Sequence, residues 1–264
     1  MLRSLYSGIS GMKNFQTKLD VIGNNIANVN TYGFKKGRTT FSDLISQTTA
    51  GATKPDGAQG GINAKQVGLG GQVASIDTIH TQGSMQTTGR VLDLAISGEG
   101  YFEVKDASGA SFYTRTGNFY FDGNRDIVNS SGQKLTIDGG TTPQIPVDAQ
   151  SFSIGTDGKI SYVDAAGELQ EGGQIRMFTF DNPEGLDKAG GNTFQVSGNS
   201  GEAKETFAGE NGAGSINSGY LEMSNVDLSE EFTEMIVAQR GFQSNTKIIT
   251  TSDEILQELV NLKR

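Results

Sequence analysis

Between residues 2 and 28 the apolar side chains Leu2, Leu5, Ile9, Met12, Phe15, Leu19, Ile22 and Ile26 recur at spacings of three and four. That period lines one side of an α-helix. Asn24, Asn25, Asn28 and Asn30, followed by Gly33, compete for backbone hydrogen bonds or tolerate positive φ, so the helix is expected to end near Asn28. Near the other end, Asp227 with Glu230 three residues later has the form of a helix-capping pair, and no Pro follows before Arg264. Leu228, Phe232, Met235, Phe242, Ile249, Leu256 and Val260 fit a repeat of about 3.5 residues, interrupted at seven-residue intervals by polar Gln239, Thr246 and Asp253. A second helix with a coiled-coil seam is predicted there.

From Val73 to Tyr220 the period changes. Segments such as SFYTRTGNFYFDGN, SFSIGTDGKISYVD and GGQIRMFTFDNPEG alternate apolar and polar residues between turn signals, the mark of short antiparallel strands. Asp122-Gly123, Asp157-Gly158 and Ser197-Gly198 are expected to supply the positive φ of tight turns. Residues 46–66, SQTTAGATKPDGAQGGINAKQ, are small and polar and include Pro55, Gly60 and Gly61, so an exposed loop is expected. The stretch 197–215 has a similar texture, and no internal repeat of the solenoid kind is visible. The predicted class is α+β. Residues 1–30 and 225–264 are expected to make up a helical coiled-coil domain, 31–72 an extended linker, and 73–224 an all-β domain of short antiparallel strands.

Composition narrows the function. With 34% hydrophobic residues and 37 Gly among 264, any single core is thin. The balance of 21 Lys+Arg against 30 Asp+Glu gives a formal charge of −9, which repels nucleic-acid backbones and anionic lipid surfaces. The chain has no Cys, which removes disulfides, thiolate metal sites and a Cys nucleophile. MLRSLYSGISGMKNF lacks the apolar core of a cleavable signal, and no apolar run is long enough to span a bilayer.

Candidate chemistry is sparse. The only His, His80, lies in SIDTIHTQG with no HExxH or GxSxG pattern nearby. Glu230, Glu231 and Glu234 cluster where a helix begins, and the helix dipole accounts for them without catalysis. The Gly-rich stretches 67–71 and 98–100 lack P-loop spacing, and no calcium-loop pattern occurs. No catalytic residue, cofactor, metal or small-molecule substrate is implied.

Three stretches carry a family resemblance. LDVIGNNIANVNTYGFK at 19–35, TGRVLDLAISGEGYFEV at 88–104, and SNVDLSEEF followed by MIVAQRGFQSN resemble the signatures of the flagellar axial proteins, the family that builds rod and hook. The resemblance implies that the end helices pair and form the inner wall of a helical tube, with the β domain facing outward. Leu2, Leu5, Ile9, Met12, Phe15, Leu19, Ile22, Asn25, Ile26 and Asn28 are then expected to carry subunit assembly on the first helix. Leu228, Phe232, Met235, Gln239, Phe242, Ile249, Leu256 and Val260 have that expected role on the second. Tyr32, Gly33, Phe34, Pro55, Gly60 and Gly61 are expected to govern flexibility. Implied partners are further copies of the chain, other rod and hook–filament junction proteins, a hook or rod cap, and the flagellar export apparatus.

Local wording favours the extracellular hook. Overall length and the 46–66 segment, which resembles the insertion of distal rod proteins, favour the alternative, a basal-body rod crossing the envelope. Hook is the reading adopted from sequence. A secreted β-rich adhesin or surface-array protein would share the composition, but it has no need of complementary helices at both chain ends.

Overall fold

The computed structural model describes residues 2–55, 60–138, 145–146 and 149–262. They form two compact units, one of Met1–Ala27, Gly37–Thr78 and Asp227–Arg264, the other of Asn28–Lys36 and Ile79–Val226.

The first unit contains helices α1 (Leu2–Ala27) and α2 (Leu228–Asn261) and strands β1 (Gly37–Asp43), β2 (Ser46–Ala50), β3 (Lys65–Gly68) and β4 (Gly71–Thr78). Asp227 caps α2, its Oδ1 accepting from the amides of Ser229 at 2.8 Å and Glu230 at 3.5 Å, so the expected start is observed. Strands β1 and β4 pair antiparallel from Gly37↔Thr78 to Asp43↔Gly71, with a bulge between Thr40 and Phe41. The pairing continues through Leu44, whose amide donates to Gly70 O at 2.8 Å, into the β2–β3 pair, which bulges between Thr48 and Ala50. A bridge from Thr53 to Ile62 extends it again. The 46–66 stretch read as a loop is therefore a paired ribbon, although every residue of β2 and β3 is exposed. Its small, polar residues gave no alternation to read, and cross-strand backbone bonds supply the order instead. Residues 56–59 of that stretch lie outside the described residues.

The second unit is built of short antiparallel strands. Its largest sheet contains β7 (Tyr101–Lys105), β8 (Ser111–Thr114), β9 (Tyr120–Phe121), β10 (Ile127–Val128), β11 (Lys134–Leu135), β15 (Met177–Thr179), β16 (Asp187–Gly190), β17 (Thr193–Gln195) and β18 (Lys204–Thr206). A three-stranded sheet joins β12 (Ser151–Ile154), β13 (Lys159–Val163) and β14 (Leu169–Gln174). Two further pairs link β6 (Leu94–Ser97) to β19 (Ser215–Ser218), and β5 (Met85–Thr87) to β20 (Tyr220–Glu222).

Alternation along the strands sorts side chains onto two faces. Phe102 and Val104 of β7 and Met177 of β15 enter an aliphatic core with Ile96, Leu135, Ile160 and Ile216. Their neighbours Tyr101 and Phe178 enter a second, aromatic cluster with Tyr113, Phe180, Leu186 and Phe194. Of the expected turn glycines, Gly158 has φ 79°, but at the other two turns the positive φ falls on Arg125 (64°) and Gly201 (78°) instead of Gly123 and Gly198. A turn fixes how many residues it takes, and the glycine visible in sequence need not occupy its left-handed position.

Candidate assembly surfaces

Helices α1 and α2 run antiparallel, since Gly8 faces Ile249, Gly11 faces Asn245, and Phe15 faces Gly241. Small residues let the backbones approach. A Cβ added at Gly241 would lie 2.5 Å from Phe15 Cζ, and one at Gly11 2.8 Å from Asn245 Nδ2. Polar contacts continue the interface, with Lys18 paired to Glu234. Asn25 is buried and saturated. Its Nδ2 donates to Glu231 Oε2 at 3.1 Å and Gly37 O at 2.9 Å, while its Oδ1 accepts from the Gly37 amide at 2.9 Å. Within the chain, Asn25 thus ties α1 to both α2 and β1.

Along α1, Ile22 is buried, and Leu5, Met12, Phe15, Leu19 and Ile26 are half-buried; Ile9 is 39% exposed, and the Leu2 side chain lies outside the described residues. Phe15 also meets Phe41 of β1, with ring centroids 6.4 Å apart, so α1 is covered on two sides.

Within the chain, only part of the predicted α2 seam is covered. Among the covered positions of α2, Glu231, Met235, Ala238, Phe242, Asn245, Ile249, Ser252 and Leu256 alternate steps of four and three, with Glu234 and Gly241 half-buried beside them. Met235, Phe242, Ile249 and Leu256 are where they were expected. Leu228, Phe232, Gln239 and Val260 are exposed, and beside Phe232 and Gln239 it is Glu231 and Ala238 that are covered. Close helix approach selects small or hydrogen-bonding side chains at every second seam position, which a search for large apolar residues passes over. A second stripe, Val237, Ile248, Ile255 and Leu262, returns to one side of α2 at steps of 11, 7 and 7 residues and is 43–83% exposed.

In the other unit, Asn28 and Tyr32 are half-buried, and Gly33 and Phe34 are buried. Gly33 adopts φ 67°, its amide donates to Glu222 O at 2.8 Å, and an added Cβ would lie 2.8 Å from the Thr116 amide nitrogen. Tyr32 O accepts from Thr116 Oγ1 at 3.2 Å and Asn192 Nδ2 at 3.1 Å. These bonds hold Tyr32 and Gly33 within their unit. Pro55, Gly60 and Gly61 are exposed on the ribbon, and Gly61 packs against Thr53 and Pro55 closely enough that a Cβ would meet Thr53 O at 2.9 Å.

Beside Gly33 lies a buried ion cluster that sequence reasoning missed. Lys35 Nζ, with no side-chain exposure, lies 2.5 Å from Glu222 Oε1 and donates to Thr81 O at 2.8 Å, while Arg115 reaches Glu222 Oε2 at 3.4 Å. The Gly83 amide also donates to Glu222 Oε1 at 2.9 Å. Burial pushes the Lys35 amine below its ordinary pKa, with Glu222 opposing that shift. No spacing in the sequence brings residues 35, 115 and 222 together.

His80 lies 2.6 Å from the Tyr101 hydroxyl through Nδ1 and against Phe194. Burial first, and then the charges of Lys35, Arg115 and Lys188, lower its pKa to about 4. It is a neutral packing residue at neutral pH. Among the described residues no cluster of His, Asp and Glu could hold a metal ion, and no helix is long and apolar enough to cross a membrane.

Comparison with known proteins adds the family. Residues 5–35 match the family described as flagella basal body rod protein, residues 95–162 the flagellar hook protein FlgE/F/G D1 domain, and residues 217–262 the flagellar basal body rod FlgEFG protein C-terminal region. The chain is 63% identical to the flagellar basal-body rod protein FlgG of Bacillus subtilis (strain 168) over 265 residues, covering 100% of each. FlgG of Borreliella burgdorferi is 40% identical over 271 residues, and the flagellar hook protein FlgE of the same species 33% identical over 444, each with 100% of both chains covered. The family is structural, not enzymatic, and its place is the basal-body rod and hook. The chain belongs to this flagellar rod and hook family of axial structural proteins.

Proposed function

We propose that this chain is a distal-rod subunit, a stiff segment of the flagellar drive shaft. The observation that carries the reading is length-matched similarity. The 63% identity to a basal-body rod protein runs over 265 residues, whereas the alignment to the hook protein spans 444, leaving 180 positions without a residue of this chain. The wording that favoured hook does not discriminate, because residues 95–162 and 217–262 match families described for FlgE, FlgF and FlgG together. The rod alternative therefore replaces the hook reading.

Assembly is assigned to the terminal helices. Their antiparallel seam follows coiled-coil spacing, and the bare stripe at Val237, Ile248, Ile255 and Leu262 exposes apolar side chains that further copies would cover. Partners in this reading are copies of the chain, adjoining axial proteins and a rod cap, with delivery by the flagellar export apparatus. Labelling the protein in purified hook–basal bodies tests the assignment. Label confined to the shaft within the envelope is expected, and label on the curved segment outside it would restore the hook.

A further inference from the structure

Positive charge gathers around one groove of the β unit, in a chain whose formal charge is −9. The groove is about 190 Å³, with Phe34, Lys35, Lys188, Gly190, Asn192 and Phe194 among its lining. Phe34 and Phe194 are buried, which makes the base apolar. Lys35 is already committed to Glu222 and Thr81 O, and Glu222 is shared with Arg115. Three cations, Lys35, Arg115 and Lys188, all act on His80, and one carboxylate serves the first two.

Lys188 is the cation left over. It is an exposed residue, yet its amine leans over the Phe34 ring, 5.5 Å from the centroid. Desolvation alone lowers its pKa, with no carboxylate opposing the shift. Among the described residues it has no salt bridge. Beside it the turn between β16 and β17 takes three consecutive left-handed positions, Gly190 (93°), Gly191 (56°) and Asn192 (58°), and Asn192 is fixed by donating to Tyr32 O. The lysine therefore stands on a shaped, held rim.

At this volume the groove falls below the range of pockets that hold whole small molecules, about 300 Å³ and upward, and suits an inserted side chain. An ammonium partly desolvated over an aromatic ring, with no salt bridge among the described residues, calls for a carboxylate. We propose that this groove receives an Asp or Glu side chain from a second copy of the chain. The inference rests on the tube reading above. A helical tube repeats one groove-to-tip contact between every pair of related copies, and 30 Asp+Glu against 21 Lys+Arg give each copy acidic side chains to offer.

Carbodiimide coupling, which joins an amine to a carboxylate without a spacer, tests the contact directly on full-length chains polymerised from mixed light and ¹⁵N-labelled protein. Mixed-isotope peptides linking Lys188 to an Asp or Glu are expected in polymers and not in the unpolymerised protein. In parallel, K188E should raise the critical concentration for polymerisation at least about tenfold, with K188R within about twofold of the parent and the gap narrowing in high salt. Unfolding temperature should be the same for all three. Failure of Lys188 to cross-link between copies in polymers where other lysines do, or polymerisation of K188E at the parental concentration, overturns the proposal. A parent chain that forms no polymer under any condition instead removes the tube reading, and this contact with it.

Discussion

Glu222 answers two cations from a position with no side-chain exposure, so its replacement strands buried charge. Glu222→Gln is expected to cost about 3–5 kcal/mol, measured by denaturant unfolding, because breaking a buried pair leaves its partner uncompensated. Gly33 is equally exacting. Gly33→Ala combines the left-handed strain of φ 67° with an approach of 2.8 Å to backbone, and a loss of about 2–4 kcal/mol is expected in the same measurement. His80 gives the molecule an acid limit. Its folded pKa of about 4 lies below the ordinary 6.5, so the unfolded chain takes up the proton first. Its contribution is complete above pH 6.5 and declines as pH falls toward 4, by up to about 3 kcal/mol. Melting temperature followed from pH 7 to pH 4 should therefore fall less steeply for His80→Gln than for the parent.

Among the elements, α2 presents two apolar stripes with separable consequences. Met235→Ala, on the α1-facing stripe, should lower the stability of the isolated chain by about 1–3 kcal/mol. Ile255→Asp, on the bare stripe, should leave that stability within about 0.5 kcal/mol and abolish sedimentable polymer. Equal destabilisation by both would mean that the bare stripe is covered within the monomer. The contrast also shows what the sequence could disclose. The existence and length of both helices followed from apolar spacing, and Met235, Phe242, Ile249 and Leu256 were correctly read as one row. The alternate row was missed because Ala238, Asn245 and Ser252 are small or polar, and Asn245 is drawn into the seam where Gly8 and Gly11 bring α1 close. Strands were legible wherever alternation was strong, as in Ser151–Ile154 and Lys159–Val163, and illegible in Ser46–Ala50, where backbone pairing alone decides. The Lys35, Arg115 and Glu222 cluster depends on topology, and no local pattern announces it.

For the whole molecule, the exposed ribbon is expected to bear on stiffness in the tube reading. A paired ribbon resists bending more than a loop of the same residues, and in a tube it would brace neighbouring copies against sliding. Deleting residues 46–68 should leave tubes that still assemble but bend more, as measured by persistence length in electron micrographs. Tubes of unchanged stiffness would remove the ribbon from this role. The antiparallel register of α1 and α2 has a consequence in time. Gly8 and Ile249 meet across almost the full length of the chain, so no partly delivered polypeptide closes this contact. Until α2 is present, the α1 face that packs on it stays bare, from Asn25 opposite Glu231 to Gly8 opposite Ile249. In the distal-rod reading, closure of this seam would be a physical condition for docking, and a subunit delivered without α2 would have no complete seam to offer.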